Sequence, residues 1–120
     1  MWLPAVSILD ALAPVRCAGC DRVGVPLCRR CQAAVAALPH PRMAQTQVAF
    51  PYGGVVRTVL HRGKFRDARS ALRILADVAS ERLTPPCAGA LVVPVPLGPR
   101  RQAVRGYNQA ALVAGVLAQH

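Results

Sequence analysis

Acidic residues are scarce in this chain. Of its 120 residues only 5 are Asp or Glu, against 15 Lys and Arg, and the formal net charge is +10. Such a surface suits phosphorylated small molecules, nucleic acid or an acidic partner. A solvated cationic face without a dedicated partner accounts for the same charge. Lysine is nearly absent too: Lys64 is the only one, so the positive charge is almost all guanidinium, whose planar fork matches phosphate oxygens as an ammonium does not. Aromatic residues are few, with 1 Trp, 2 Tyr and 2 Phe. The core is therefore expected to be small and aliphatic, with little on which nucleobases would stack. Long apolar runs are missing as well. Arg or Pro interrupts each of them before the roughly 18 residues a bilayer crossing needs. The apolar stretch from Trp2 to Val15 has no basic leader and contains Asp10, which argues against a signal peptide. These absences lead to the expectation of a soluble, cytoplasmic protein whose thiols stay reduced.

Cysteine is what the chain does have, and it is patterned. Cys17-Ala-Gly-Cys20 and Cys28-Arg-Arg-Cys31 are two C-x-x-C pairs separated by seven residues. Each pair can turn both sulfurs toward one ion, and four thiolates suit a tetrahedral, structural zinc with no open position for substrate. Gly19 and Gly24 are expected to give the loops backbone freedom, and Arg22, Arg29 and Arg30 to offset the charge of the site. Redox-active pairs and an iron–sulfur cluster are the competing readings, but no thioredoxin-like strand precedes either pair. Cys87, beside Pro85 and Pro86, reads as a small buried residue or an incidental thiol.

Hydrophobic spacing predicts an amphipathic helix over residues 3–13, and helix-favouring residues predict another running from Cys28 to Leu38, where Pro39 and Pro41 stop it. After a linker, Gln47 to Tyr52 reads as a short strand and Gly53-Gly54 as the turn out of it. Val55, Val56, Val59 and Leu60 fit one helix face. Asp67 is placed to cap a helix whose stripe is Ala68, Leu72, Leu75, Ala79 and Leu83. Leu91 to Val95 reads as a buried strand, weakened by Pro94. An Arg-rich loop then leads to a last helix from about Asn108. That helix is still apolar at His120, with Leu112, Val116 and Leu117 expected to be exposed and to drive self-association.

The loop places Arg100, Arg101 and Arg105, with Gly98 and Gly106, between an apparent strand and a helix N-terminus, an arrangement that favours anions. A solvated basic turn accounts equally for the cluster. The run Val92-Val-Pro-Val-Pro-Leu97, followed by Arg100-Arg101 and Arg105-Gly-Tyr-Asn-Gln-Ala110, resembles the signature of the ComF/GntX-type phosphoribosyltransferase family. The apolar start, the paired C-x-x-C motif, and Tyr52-Gly-Gly-Val-Val-Arg57 followed by Lys64-Phe65 extend the resemblance over nearly all of residues 2–120.

The resemblance implies an α/β architecture: a zinc module with its N-terminal helix over residues 1–40, then a partial type I phosphoribosyltransferase-like domain over 45–120. It implies phosphoribosyl diphosphate and magnesium as ligands, with Arg100, Arg101, Arg105, Gly106 and Asn108 near the diphosphate and Lys64 and Arg66 bordering the same cleft. A link to DNA uptake in competent bacteria also belongs to the family. The pattern departs in one respect. Type I enzymes carry two adjacent acids and a Thr/Gly-rich loop, whereas Asp10, Asp21, Asp67, Asp77 and Glu81 are scattered and no such loop follows them. The expectation is a truncated protein, inactive alone, that self-associates or pairs with a complementing C-terminal half. A small basic zinc-containing nucleic-acid-binding or interaction module is the alternative.

Overall fold

The computed structural model describes residue 8 and residues 12–65 and 68–120. The helix expected over 3–13 and the roles assigned to Arg66 and Asp67 fall wholly or largely outside these residues. Among the described residues are five helices: α1 (Arg29–Ala36), α2 (Gly54–Phe65), α3 (Arg69–Ser80), α4 (Pro99–Arg105) and α5 (Gln109–Leu117). Each follows from its local sequence. α1 is rich in Ala and buries Cys31 and Val35, one turn apart on a single face, and it ends ahead of Pro39. α2 buries Val56 and Val59, while α3 buries Ala71, Leu72, Leu75, Ala76 and Ala79, a helical stripe of Ala and Leu side chains. Ala68 occupies the N-cap position of α3 and makes no side-chain cap.

α3 is the central element, packed against α1, α2 and α5. The buried cluster runs without a break from Cys17, Ala18, Leu27, Cys28 and Cys31 through Val35, Val56 and Val59 to Ala71, Leu72 and Leu75. Most of these side chains are aliphatic and small, as the composition anticipated. Side chains reaching across to backbone tie the irregular segments down. Gln47 bonds Thr84 in both directions, its Nε2 donating to the Thr84 carbonyl at 2.6 Å and its Oε1 accepting the Thr84 amide at 2.7 Å. Arg82 donates to the Leu38 carbonyl at 2.7 Å, just past α1, and its guanidinium stands 5.1 Å from the centre of the Phe50 ring.

The α/β expectation is overturned: the described residues contain no strand, only isolated antiparallel bridges at Arg16–Val23 and Arg42–Gln47. The described residues therefore form no type I phosphoribosyltransferase-like sheet. Strand-forming residues need a ladder partner, and neither candidate segment has one. Gln47–Tyr52 contributes a single bridge at its first residue, and Pro51 interrupts it. Leu91–Val95 lies on the surface instead of in a core, with Leu91 86% exposed and Val93 72% exposed. Pro94 and Pro96 remove two donors from one edge of that segment.

The expected Arg-rich loop is instead the helix α4, which follows Gly98 with Pro99 in its first turn and is capped by left-handed Gly106 at φ +78°. Proline at the start and glycine just past the end were legible signals of a helix there. The last helix begins at the expected place, and there Asn108 caps it, its side chain accepting the amides of Ala110 and Ala111 at 3.0 and 3.3 Å. The three residues expected to be exposed are not, since Leu112 and Leu117 are half-buried and Val116 is buried. Leu112 and Val113 pack against the central cluster. No helix among the described residues is long and apolar enough to cross a membrane.

Candidate metal centre

The first cysteine pair sits on a knuckle closed by backbone hydrogen bonds. The Cys17 amide donates to the Arg22 carbonyl and the Asp21 amide to the Cys17 carbonyl, each at 2.8 Å, while Gly24 donates back to Val15 at 2.9 Å. The reversal needs a left-handed residue, and Asp21 takes it at φ +66°, a conformation short polar side chains tolerate. The second pair uses a helix start: Cys28 is the N-cap of α1 and Cys31 lies in its first turn, so three residues of helix bring both sulfurs to one side.

The four Sγ atoms of Cys17, Cys20, Cys28 and Cys31 all lie within 4.8 Å of one another. Cys20 and Cys28 sulfurs are 3.7 Å apart. Ligands at the Zn–S bond length on a tetrahedron are separated by about 3.8 Å, whereas a disulfide needs about 2.05 Å. None of the four is in a disulfide, and Cys17, Cys28 and Cys31 are buried while Cys20 is exposed. They are placed to hold one metal ion, and the donor set is the one zinc favours. Burial pushes the Cys17 thiol up, but amides at Cys28, Cys20 and Gly19 outweigh it and bring the group down to about 6. The Cys28 and Gly19 amides reach its sulfur at 3.3 and 3.4 Å. Cys28 is lowered, chiefly by the Cys31 backbone amide at the helix N-terminus. Cys31 is raised by burial and by the neighbouring thiols.

Gly19 has a different role from the one expected of it. A Cβ there would stand 2.7 Å from Cys31 Sγ and 3.1 Å from Val55, so the glycine permits close approach between the two cysteine pairs and α2. The cations around the knuckle also differ. Arg22, Arg29 and Arg30 are exposed. Arg62 from α2 donates to the Cys17 carbonyl at 3.0 Å and lies 3.6 Å from the Asp21 carboxylate, which Arg16 also approaches at 3.6 Å. No local motif announces Arg62, because it arrives from 45 residues away. Cys87 is exposed and outside the cluster.

A second group of expected site residues divides in two. Arg100, Arg101 and Arg105 of α4 line one cavity of about 330 Å³ together with Val104 and Lys64 from the end of α2. Gly106 and Asn108 do not line it and are the caps of α4 and α5, and Asn108 Nδ2 also donates to the Val95 carbonyl at 3.2 Å. Their neighbours do likewise. The Tyr107 hydroxyl donates to the Gly63 carbonyl at 2.6 Å, Gln109 Nε2 donates to Leu60 at 2.9 Å, and the Arg69 guanidinium lies 4.6 Å over the Tyr107 ring. No protein-family model matches this chain, and no curated protein or solved structure matches it significantly.

Proposed function

We propose that this protein is a zinc-stapled helical module that binds phosphate-bearing anions in the cavity between α2 and α4. The observation that carries this reading is the convergence of Lys64, Arg100, Arg101 and Arg105 on one cavity. Guanidinium and ammonium donors form charge-assisted hydrogen bonds to phosphate oxygens, and a site several cations share is worth more than the same charges dispersed. The residues Lys64, Arg100, Arg101 and Arg105 also belong to the segments on which the ComF/GntX resemblance rests, and diphosphate is the ligand chemistry which that resemblance implies. Zinc is the ion proposed for the four cysteines. Its part is to hold residues 15–38 together, a segment too small to order by its own core.

Binding, not turnover, is the proposed activity. The acids of the chain are scattered singly, so no adjacent pair is present to orient a ribose or a metal-linked diphosphate. Calorimetry with inorganic diphosphate on the native chain and on Arg105→Ala tests the reading, and equal affinity for both removes the cavity from it. A steep salt dependence of DNA binding, with no preference for diphosphate, supports the nucleic-acid alternative instead.

A further inference from the structure

We infer that Arg62 and Tyr107 are positioning residues for the cationic cavity, and that through them metal loading of the four cysteines sets the cavity's anion affinity; this rests on the anion-binding reading above. The C-terminal half of α2 is held from two sides. On one side Arg62 grips the metal knuckle, donating to the Cys17 carbonyl at 3.0 Å and facing Asp21 at 3.6 Å. On the other, the carbonyls of Leu60 and Gly63 accept Gln109 Nε2 at 2.9 Å and the Tyr107 hydroxyl at 2.6 Å. Gly63 makes that approach feasible, since a Cβ there would meet Gln109 Nε2 at 3.0 Å and the Tyr107 hydroxyl at 3.3 Å. The next residue, Lys64, lines the cavity.

The opposite wall depends on the same half of α2. α4, which supplies Arg100, Arg101 and Arg105, buries none of its own residues. No apolar face fixes it to the body of the protein, so its position is set by its two ends. At its C-terminal end Gly106 leads directly into Tyr107 and hence to Gly63. At its N-terminal end the segment before it is tied through the Val95 carbonyl to Asn108. Four like charges in one cavity repel one another, and they stay close only while both walls are held.

Metal loading supplies the two-state element. With the ion bound, the knuckle presents the Cys17 carbonyl and Asp21 at fixed positions to Arg62. Without it, the knuckle loses its staple, the last turn of α2 loses one anchor, and Lys64 is no longer held opposite the α4 arginines. Linkage then requires that an anion in the cavity strengthen metal retention by the same factor.

The test uses the zinc-loaded full chain and inorganic diphosphate. Calorimetry should show Arg62→Gln and Tyr107→Phe binding roughly five- to tenfold more weakly while each retains one zinc per chain. Arg16→Gln is the control: it removes the same charge from the same Asp21 without touching α2, and it should match the native chain. Tyr107→Phe keeps ring and charge and removes one hydroxyl, so it decides the matter alone if Arg62→Gln does not fold. Saturating diphosphate should also slow zinc loss to a chelator in the native chain and not in Tyr107→Phe, with Lys64→Ala correcting for zinc bound by free diphosphate. A purely structural role would leave that retention unchanged by diphosphate. Equal diphosphate affinity in Tyr107→Phe and the native chain overturns the inference while leaving anion binding intact. No diphosphate binding by the native loaded chain overturns both.

Discussion

Gly19 and Cys31 are in such close apposition that one added methyl group at Gly19 would fall 2.7 Å from the Cys31 sulfur. The two cysteine pairs, seven residues apart in sequence, thus meet across a position where only a hydrogen fits. Gly19→Ala is expected to weaken zinc affinity and to destabilise the fold by about 1–3 kcal/mol, the usual cost of overpacking a tight site. Chelator competition and thermal denaturation measure the two effects. Unchanged values for both would show that the cysteines can separate at no cost.

Gly115 is the counter-case, for it lies inside α5 and a Cβ there meets nothing within 4 Å. Gly115→Ala should stabilise the protein by about 0.5–1 kcal/mol, because alanine loses less backbone freedom in a helix. Denaturant unfolding reads this directly. A loss of stability would mean that α5 is packed more tightly on that face than the structure shows.

Removing the metal should unfold more than the knuckle. Cys17, Cys28 and Cys31 belong to the same buried cluster as Leu72 and Leu75 of α3, so the staple and the helical core share contacts. A chelator should therefore lower the melting temperature of the whole chain and broaden its transition. An unchanged helical melt followed by circular dichroism would separate the two.

Proton release should accompany zinc binding. Backbone amides bring Cys17 down to about 6 against its burial, while Cys31 is raised by burial and its neighbours. Near neutrality Cys17 is therefore mostly thiolate already and Cys31 is a thiol, so the ion must displace at least the Cys31 proton. Affinity should fall as pH falls, and more steeply below about 6, where Cys17 also takes up a proton. Calorimetry in two buffers of different ionisation enthalpy counts the protons. A zinc affinity independent of pH would contradict this order of charges.

Asn108 makes two kinds of contact that substitutions can separate. Asn108→Ala should cost about 1 kcal/mol by loss of the α5 cap. Asn108→Asp keeps an oxygen for the amides of Ala110 and Ala111 but has no donor for the Val95 carbonyl. It should therefore preserve most of the helix stability while freeing the segment before α4. Hydrogen exchange at residues 91–98 distinguishes this from a uniform loss.

The residue sequence by itself determined the parts of this protein whose causes are local. The four metal-ligand cysteines were legible from spacing, since a C-x-x-C pair brings its sulfurs together by its own turn. The helices α2 and α3 were legible from apolar stripes, α1 from helix-favouring residues that Pro39 stops, and α5 from the apolar run that follows Asn108. Tertiary structure alone decided the rest. Whether Leu91–Val95 forms a strand depends on a partner edge, and without one a β-prone segment stays single and exposed. Gly106 and Asn108 were placed near an anion by the family resemblance, and their part as helix caps shows only in the structure, as do the bonds from Tyr107, Asn108 and Gln109 to carbonyls outside the loop. Arg62 was invisible for a related reason. Its significance lies in the Cys17 carbonyl it reaches, and a hydrogen bond between residues 45 positions apart exists only once the chain has folded.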